Sequence, residues 1–323
     1  MIVKKLVSII IVNWNHRLFL PSCLEALKNQ TYSPIEIFVI DNASSDGSVD
    51  WIQEKHPDIK IKVFEENMGF SKAFNYGMTL AKGEFVLSLN PDVVTAPDFI
   101  DQMVKWIDMD ERVWCAAPKL MRANNPSLID STGLFLNYLR KPYDRGQNEK
   151  DEGQYDAKTE VFGACGAAAL YRKEMVEEIS INGEFLDEDF FAYYEDVDIS
   201  WRAKILGWRC IFVPSAIATH VRGWGDTLHK QSNDDLRNVG TRLALKNRYL
   251  LIIKNDRFKD IWLYLPLILL VDSLRNFYLL FFYPRVLLGL YDVFRLVPKV
   301  IQKRQIINQK RIQNANIQMW FFQ

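Results

Sequence analysis

Three carboxylates fall within four positions: Glu195, Asp196 and Asp198, in the run Tyr193-Tyr-Glu-Asp-Val-Asp-Ile-Ser-Trp-Arg202. On a helix, residues three apart share a face, so Glu195 and Asp198 point together and Asp196 points elsewhere. Different jobs are expected of them. A carboxylate at a helix start, in a cleft, can take the proton of an attacking hydroxyl. Acidic residues also favour a helix N-terminus for its dipole alone. Asp92, in Asn90-Pro91-Asp92, and His220, in Ala218-Thr-His-Val-Arg-Gly-Trp-Gly225, are of types that can ligate a divalent cation. One carboxylate leaves such a site short of ligands, so water and ligand oxygens would complete it. Oxygen donors suit Mg2+, whereas an imidazole among them favours Mn2+.

These residues need a scaffold. Leu6 to Val12 is short, continuous and β-branched, as in a buried parallel strand. Ile35 to Ile40, Ile59 to Phe64 and Phe85 to Leu89 read as further strands. Helical stretches lie between them at about 17–29, 48–56 and 70–81. This rhythm predicts an α/β fold with a mostly parallel sheet. Ligands of such sheets sit beyond the carboxyl ends of the strands. Asn13, Asp41 and Asn90 to Asp92 fall there, although Asn, Asp and Pro also simply make turns. Further on, 113–118 reads as a strand, 140–160 as a polar mobile loop, and Phe162 to Leu170 as a tightly packed strand or turn. Glu195 to Leu206 reads as an amphipathic helix, and Arg209 to Val213 as a strand closed by Pro214.

The 323 residues carry 40 basic and 40 acidic side chains. A net charge of zero gives no reason to expect nucleic acid. The average hides a split. Residues 241–323 hold 14 Lys/Arg and 4 Asp/Glu, a balance of +10, and the first 240 hold 26 and 36, a balance of −10. The four cysteines form no CxxC motif, which suits a reducing, cytosolic setting. Lys4 and Lys5 before an apolar run resemble a signal peptide, but no cleavage site follows. From about residue 237, Leu, Phe and Tyr dominate. Two uncharged runs, Ile261 to Val271 and Asn276 to Pro284, fall short of the ~20 residues a spanning helix needs. Asp272, Arg275 and Arg285 interrupt this region, and Pro266 and Pro284 are expected to bend it. Basic and aromatic residues together suit helices lying on an anionic membrane surface. A spanning hairpin, and a hydrophobic helical pair packed on the catalytic domain or on a second subunit, as in a homodimer, are the alternatives.

Five segments in order carry a resemblance: Ser8 to Asn15, Val39 to Ser48, Asn67 to Asn75, Leu89 to Val93 and Tyr193 to Arg202. Over residues 6–225 the chain closely resembles the family 2 glycosyltransferases, and most of all their rhamnosyltransferase-like branch. The resemblance implies the GT-A nucleotide-diphospho-sugar transferase fold, inversion at the anomeric carbon, and a nucleotide-sugar donor. It implies that Asn13, Trp14 and Asp41 line the nucleoside pocket, where Trp14 offers a stacking face and Asp41 accepts a pyrimidine N–H. Asp46 and Ser48 suit a structural cap just as well. Asn67, Gly69, Lys72 and Asn75 are expected around the diphosphate or ribose, with Gly69 at a point of close approach. The resemblance makes Asp196 the base and Glu195 an acceptor ligand, and Asp198 is expected to pair with Arg202. The family's Asp-x-Asp motif is reduced here to Asp92, with His220 as the second ligand of Mg2+ or Mn2+. Arg222 to Thr227, with hinge glycines around the acceptor-side candidate Trp224, is expected to be a lid over donor or acceptor.

The expectation is therefore a catalytic domain, 1–236, and a helical, membrane-associating region, 237–323. The activity expected is sugar transfer from a dTDP- or UDP-sugar, rhamnose being suggested by resemblance alone. The acceptor expected is a glycan or lipid-linked glycan, at the cytoplasmic face of the membrane. A nucleotidyltransferase is disfavoured because Val12-Asn-Trp-Asn15 has no Gly-rich phosphate loop. A dinucleotide oxidoreductase lacks its GxGxxG. A non-catalytic membrane scaffold would tolerate loss of Asp92 and Asp196.

Overall fold

A computed structural model describes residues 4–221, 234–312 and 317–321 of the chain. The first half alternates: β1 (Val7–Asn13), α1 (Leu20–Lys28), β2 (Ile35–Asp41), α2 (Ser48–Lys55), β3 (Lys60–Val63), α3 (Phe70–Leu80), β4 (Phe85–Leu89). Then come β5 (Val93–Thr95), α4 (Phe99–Ile107), β6 (Val113–Arg122), β7 (Asn125–Ser131), β8 (Leu134–Leu136), β9 (Pro142–Asp144) and β10 (Glu160–Val161). β11 (Ala168–Arg172), α5 (Lys173–Ile179), α6 (Glu195–Ile205) and β12 (Arg209–His220) follow. The C-terminal helices are α7 (Asp234–Asn255), α8 (Phe258–Ile261), α9 (Leu265–Phe282) and α10 (Leu288–Lys310).

The sheet runs β10-β12-β6-β11-β4-β1-β2-β3. β3, β2, β1 and β4 are parallel, as are β6 and β12, and β11 runs antiparallel between β4 and β6. Every residue of β1 is buried, and its side chains alternate between two cores. Ile9 and Ile11 face one core with α1 and α4. Ile10 and Val12 face the other with α3 and α6.

Several sequence expectations change. The strand expected to close at Pro214 runs on to His220, and a bulge between Val213 and Ile217 absorbs the proline. α6 is not amphipathic: ten of its eleven residues are buried, because the sheet covers one side and α7 the other. The 140–160 segment folds back on β7, with Ile129 N–H donating to Glu149 O at 2.8 Å and Lys119 pairing with Asp151 and Asp156 at 3.0 and 2.8 Å. Pro266 begins α9 rather than bending it.

Residues after 237 contribute to the central core. Leu250, Leu251, Val300, Ile307, Trp320 and Phe321 belong to the same core as Ile10, Phe74 and Trp201. Buried Arg140 pairs with Asp256 at 2.7 Å. α7 and α10 are thus part of the catalytic body, not a detached tail.

Candidate functional site

β1 and β2 end in register, Asn13 opposite Asp41. Asn13 Nδ2 donates to Asp41 Oδ2 at 2.7 Å and to Ser44 Oγ at 3.0 Å, and Ser44 N–H donates to Asp41 Oδ1 at 2.8 Å. Asp41 is therefore a buried, oriented carboxylate with lone pairs to spare. Asn13 Oδ1 is buried without a partner among the described residues. Half-buried Trp14 follows directly. Asp46 accepts from the N–H groups of Arg17 and Ser48, at 2.7 and 3.0 Å, so it shapes the turn into α2. Gly47, with φ of 80°, is the N-cap there, not Ser48.

Asn67 also builds a loop: its Oδ1 accepts from Gly69 N–H and Asn42 Nδ2, both at 2.9 Å. Gly69 has φ of 83°, and a Cβ there would sit 2.6 Å from the Phe191 ring. The close approach at Gly69 is thus by the protein's own Phe191. Asn75 clamps the Leu186 backbone through both ends of its amide, at 2.8 and 2.9 Å. That occupies the group expected to face the donor. Lys72 is exposed on α3 and pairs with no carboxylate among the described residues.

The second wall starts where β4 ends. His220, at the end of β12, lies in register with Val93, which brings its Nε2 to 3.6 Å from Asp92 Oδ2. His220 Nδ1 contacts Asp130 Oδ2 at 2.8 Å. Asp130, on β7, was not singled out from the sequence. Burial alone would lower the His220 pKa. The bond to Asp130 and the nearby Asp92 outweigh it and raise it to about 9. Asp92 Oδ1 is buried without a hydrogen bond. An unsatisfied carboxylate oxygen beside an imidazole steered by a second carboxylate fits a divalent cation. No group of three or more such side chains occurs among the described residues, so other ligands must complete the shell.

Asp196 and Glu195 open α6. Asp196 Oδ2 accepts from Gly166 N–H at 2.9 Å and Oδ1 from Val197 N–H at 2.8 Å. The approach at Gly166 is close, since a Cβ there would lie 3.2 Å from Asp196 Oδ2. The next residue's carbonyl, Ala167 O, accepts from Asn90 N–H at 2.8 Å. One turn therefore links Asp196 to the Asp92 segment. Burial raises Asp196 to about 6 even against its backbone donors. Burial, then the Asp196 charge, raises Glu195 to about 8, and Glu195 Oε2 has no hydrogen-bond partner among the described residues. Two adjacent carboxyls are thus both raised, Glu195 further than Asp196.

What holds this pair was hidden in the sequence. Phe191, Tyr193 and Tyr194 all have left-handed backbones, φ 68–70°, which is costly for residues with side chains. Asn247 of α7 stabilises that strained run. Its Nδ2 faces the carbonyls of Phe190, Ala192 and Tyr193 at 3.0, 2.7 and 2.7 Å. Asp198 does pair with Arg202, at 3.0 Å, and also with Lys254 at 2.9 Å and Asn255 at 2.8 Å. Nothing in local spacing marks Asn247 or Lys254. Trp224 and the expected lid lie outside the described residues. The 540 Å³ cavity lined by Lys5, Lys82, Arg172 and Lys173 lies at the opposite end of the strands, away from this chemistry.

Residues 8–180 match the model "Glycosyl transferase family 2", and 146–301 match "Glycosyl transferase family group 2". The chain belongs to glycosyl transferase family 2. Among curated relatives of this transferase, an N-acetylglucosaminyl-diphospho-decaprenol L-rhamnosyltransferase of Mycobacterium tuberculosis is 25% identical over 269 residues. The match covers 74% of this chain and 80% of that protein. The putative glycosyltransferase EpsH of Bacillus subtilis is 27% identical over 198 residues, 58% of this chain, and the match spans only about half (54%) of EpsH. Among solved structures, GalNAc-T7 with UDP, GalNAc and Mn2+ aligns with TM-score 0.59 at 18% identity, covering 79% of this chain and 49% of that one. Residues 1–349 of S. aureus TarS align with TM-score 0.57 at 17% identity, covering 97% and 88%. A Pyrobaculum calidifontis mannosyltransferase with GDP-Man and Mn2+ aligns with TM-score 0.56 at 17% identity, covering 99% and 88%. The transferase has the GT-A fold these structures share, with its helical C-terminal region inside the aligned span of the last two.

Proposed function

We propose that this transferase moves a sugar, with inversion, from a dTDP- or UDP-sugar to a hydroxyl of a lipid-linked glycan presented at a membrane. L-Rhamnose is the first sugar to test, because the mycobacterial relative carries that name. The observation that supports the reading most is the Asp196–Gly166–Ala167–Asn90 connection, which sets an oriented, half-buried carboxylate beside the Asp92 segment.

In this reading Asn13, Asp41 and Trp14 hold the nucleoside, and Lys72 reaches the diphosphate. Asp92 and His220, steered by Asp130, would hold a divalent cation. Such a cation, when bound, neutralises the departing diphosphate as a Lewis acid. Glu195, in its protonated form, donates a hydrogen bond that orients the acceptor. Asp196 takes the acceptor's hydroxyl proton as its oxygen bonds to the anomeric carbon. The bond from that carbon to the diphosphate breaks on the opposite face, and the nucleoside diphosphate leaves with the electron pair. Inversion follows from this single in-line displacement.

The test uses the full chain with dTDP-rhamnose and a panel of UDP-sugars, each with Mg2+, Mn2+ or EDTA. The reading expects metal-dependent release of one nucleoside diphosphate, faster with a polyprenyl-diphosphate-linked sugar. Release unaffected by EDTA would remove the cation from Asp92 and His220. Neither binding nor release across the panel would favour a non-catalytic scaffold.

A further inference from the structure

α9 has its polarity inside out. Its inward stripe carries Ile268, Asp272 and Leu279, with Arg275 and Asn276 at its edges. Asp272 Oδ2 is 2.6 Å from Arg248 Nη1 of α7, and Arg275 and Asn276 both donate to Tyr249 Oη, at 3.0 and 3.1 Å. Leu267, Leu269, Leu270, Leu274, Phe277 and Phe281 head the outward side, with Ser273 its only hydrophilic side chain. At 100° per residue the exposed apolar arc is roughly 220° wide. A surface helix in water shows the reverse pattern.

We propose that α9 lies broadside in one leaflet of an anionic bilayer, its polar stripe on α7 and its apolar arc in the acyl chains. A second copy of the chain would cover one side of the helix, whereas hydrocarbon covers the whole arc. Exposed Trp262 precedes the helix, exposed Tyr283 and Tyr291 follow it, and Lys259, Arg285 and Arg295 are exposed beside them. That is an aromatic and basic fringe suited to headgroups. The helix is 18 residues long and apolar enough to cross a bilayer. Crossing, however, would carry Asp272, Arg275 and α7's Arg248 to the bilayer centre, where charge is costly. Broadside insertion leaves all three on the protein side. The proposal deepens the membrane-side acceptor reading and rests on it for its purpose. Arg248 adjoins Asn247, so the loop bearing Glu195 and Asp196 stands one helix away from the inserted face.

The test is flotation of the full chain with vesicles of phosphatidylcholine and phosphatidylglycerol, at low and high salt. The chain is expected to float and to remain bound at high salt. Leu269→Asp and Phe282→Asp, on opposite edges of the arc, should each weaken binding about 10-fold, with melting temperature unchanged. Absence of flotation overturns the proposal while leaving sugar transfer to be judged by turnover. So does a vesicle-independent dimer that only one of the two edge substitutions breaks. Leu263→Cys and Tyr283→Cys, labelled on intact vesicles with an impermeant maleimide, should both react from outside. Protection of one alone would mean that the helix spans.

Discussion

The protonation states of Glu195 and Asp196 set the pH range in which the proposed base works. Asp196 must be ionised to accept a proton, and burial puts its pKa at about 6. Turnover should therefore rise through about pH 6 toward neutrality. Asp196→Asn should lower kcat by about 10²- to 10⁴-fold while donor binding, followed by calorimetry, is retained. Full turnover in that variant would remove Asp196 from the base role. Glu195 supplies a separate check on stability. Its folded pKa, about 8, lies above its ordinary value of 4.5. A carboxyl raised on folding stabilises below the unfolded pKa, and that contribution is lost as pH rises through the folded one. Glu195→Gln, which cannot ionise, should thus raise the melting temperature at pH 9 by about 2 °C or more and change little at pH 4. An equal shift at both pH values would show that burial charge is not the cause.

Among the elements, α7 holds the backbone that leads into Glu195 and Asp196. Asn247, Lys254 and Asn255 lie along it and fix, in turn, the strained 190–193 backbone, Asp187 with Asp198, and Asp198 again. Each typical hydrogen bond contributes about 0.5–1.5 kcal/mol net. Asn247→Ala, which loses three contacts, should therefore cost about 1–3 kcal/mol of stability. Below its melting transition this variant should lower kcat about 10-fold with donor KM unchanged. A rise in donor KM with no change in kcat would mean that the loop serves the donor instead. Lys254 has a different dependence: its ammonium lies between two buried carboxylates, Asp187 and Asp198. Lys254→Met removes one of two cations from each, because Arg202 still pairs with Asp198 and Lys303 with Asp187, and should cost about 1–3 kcal/mol, read by denaturant unfolding.

At the scale of the whole molecule, the charge split of +10 against −10 does not mark two separable bodies. Several C-terminal cations are consumed inside the fold: Lys254, Lys303 and Arg248 pair with Asp187, Glu184, Asp189, Asp198 and Asp272. The outward remainder, including Lys259, Arg285 and Arg295, flanks the apolar face of α9. A chain cut after residue 236 exposes the core residues that α7 and α10 cover. It should lose cooperative unfolding and donor binding together, seen by calorimetry. A truncated chain that folds and binds donor would restore the tail as an independent region.

How much of this was legible without coordinates depends on the range of the interactions involved. β1, β2 and β4, the helices between them, and the polar residues at strand ends follow from runs and periods of a few residues, because burial on both faces of a parallel sheet leaves a continuous apolar signature. The ordered motifs indicated the family for the same reason: each is a local segment. The jobs of Asn75 and Gly69 were not legible, since Leu186 and Phe191 meet them only through the fold. Asp130 lies 90 residues from His220 in sequence, and Asn247 more than 50 from the loop it holds. Composition also left the orientation of α9 open. Asp272 and Arg275 read as interruptions of an apolar run, but they are its attachment to α7. Which side of a helix faces protein is decided by what packs against it. The sequence alone determined the strands and helices of the first half and the family, and tertiary packing decided the site's supports and the outward face.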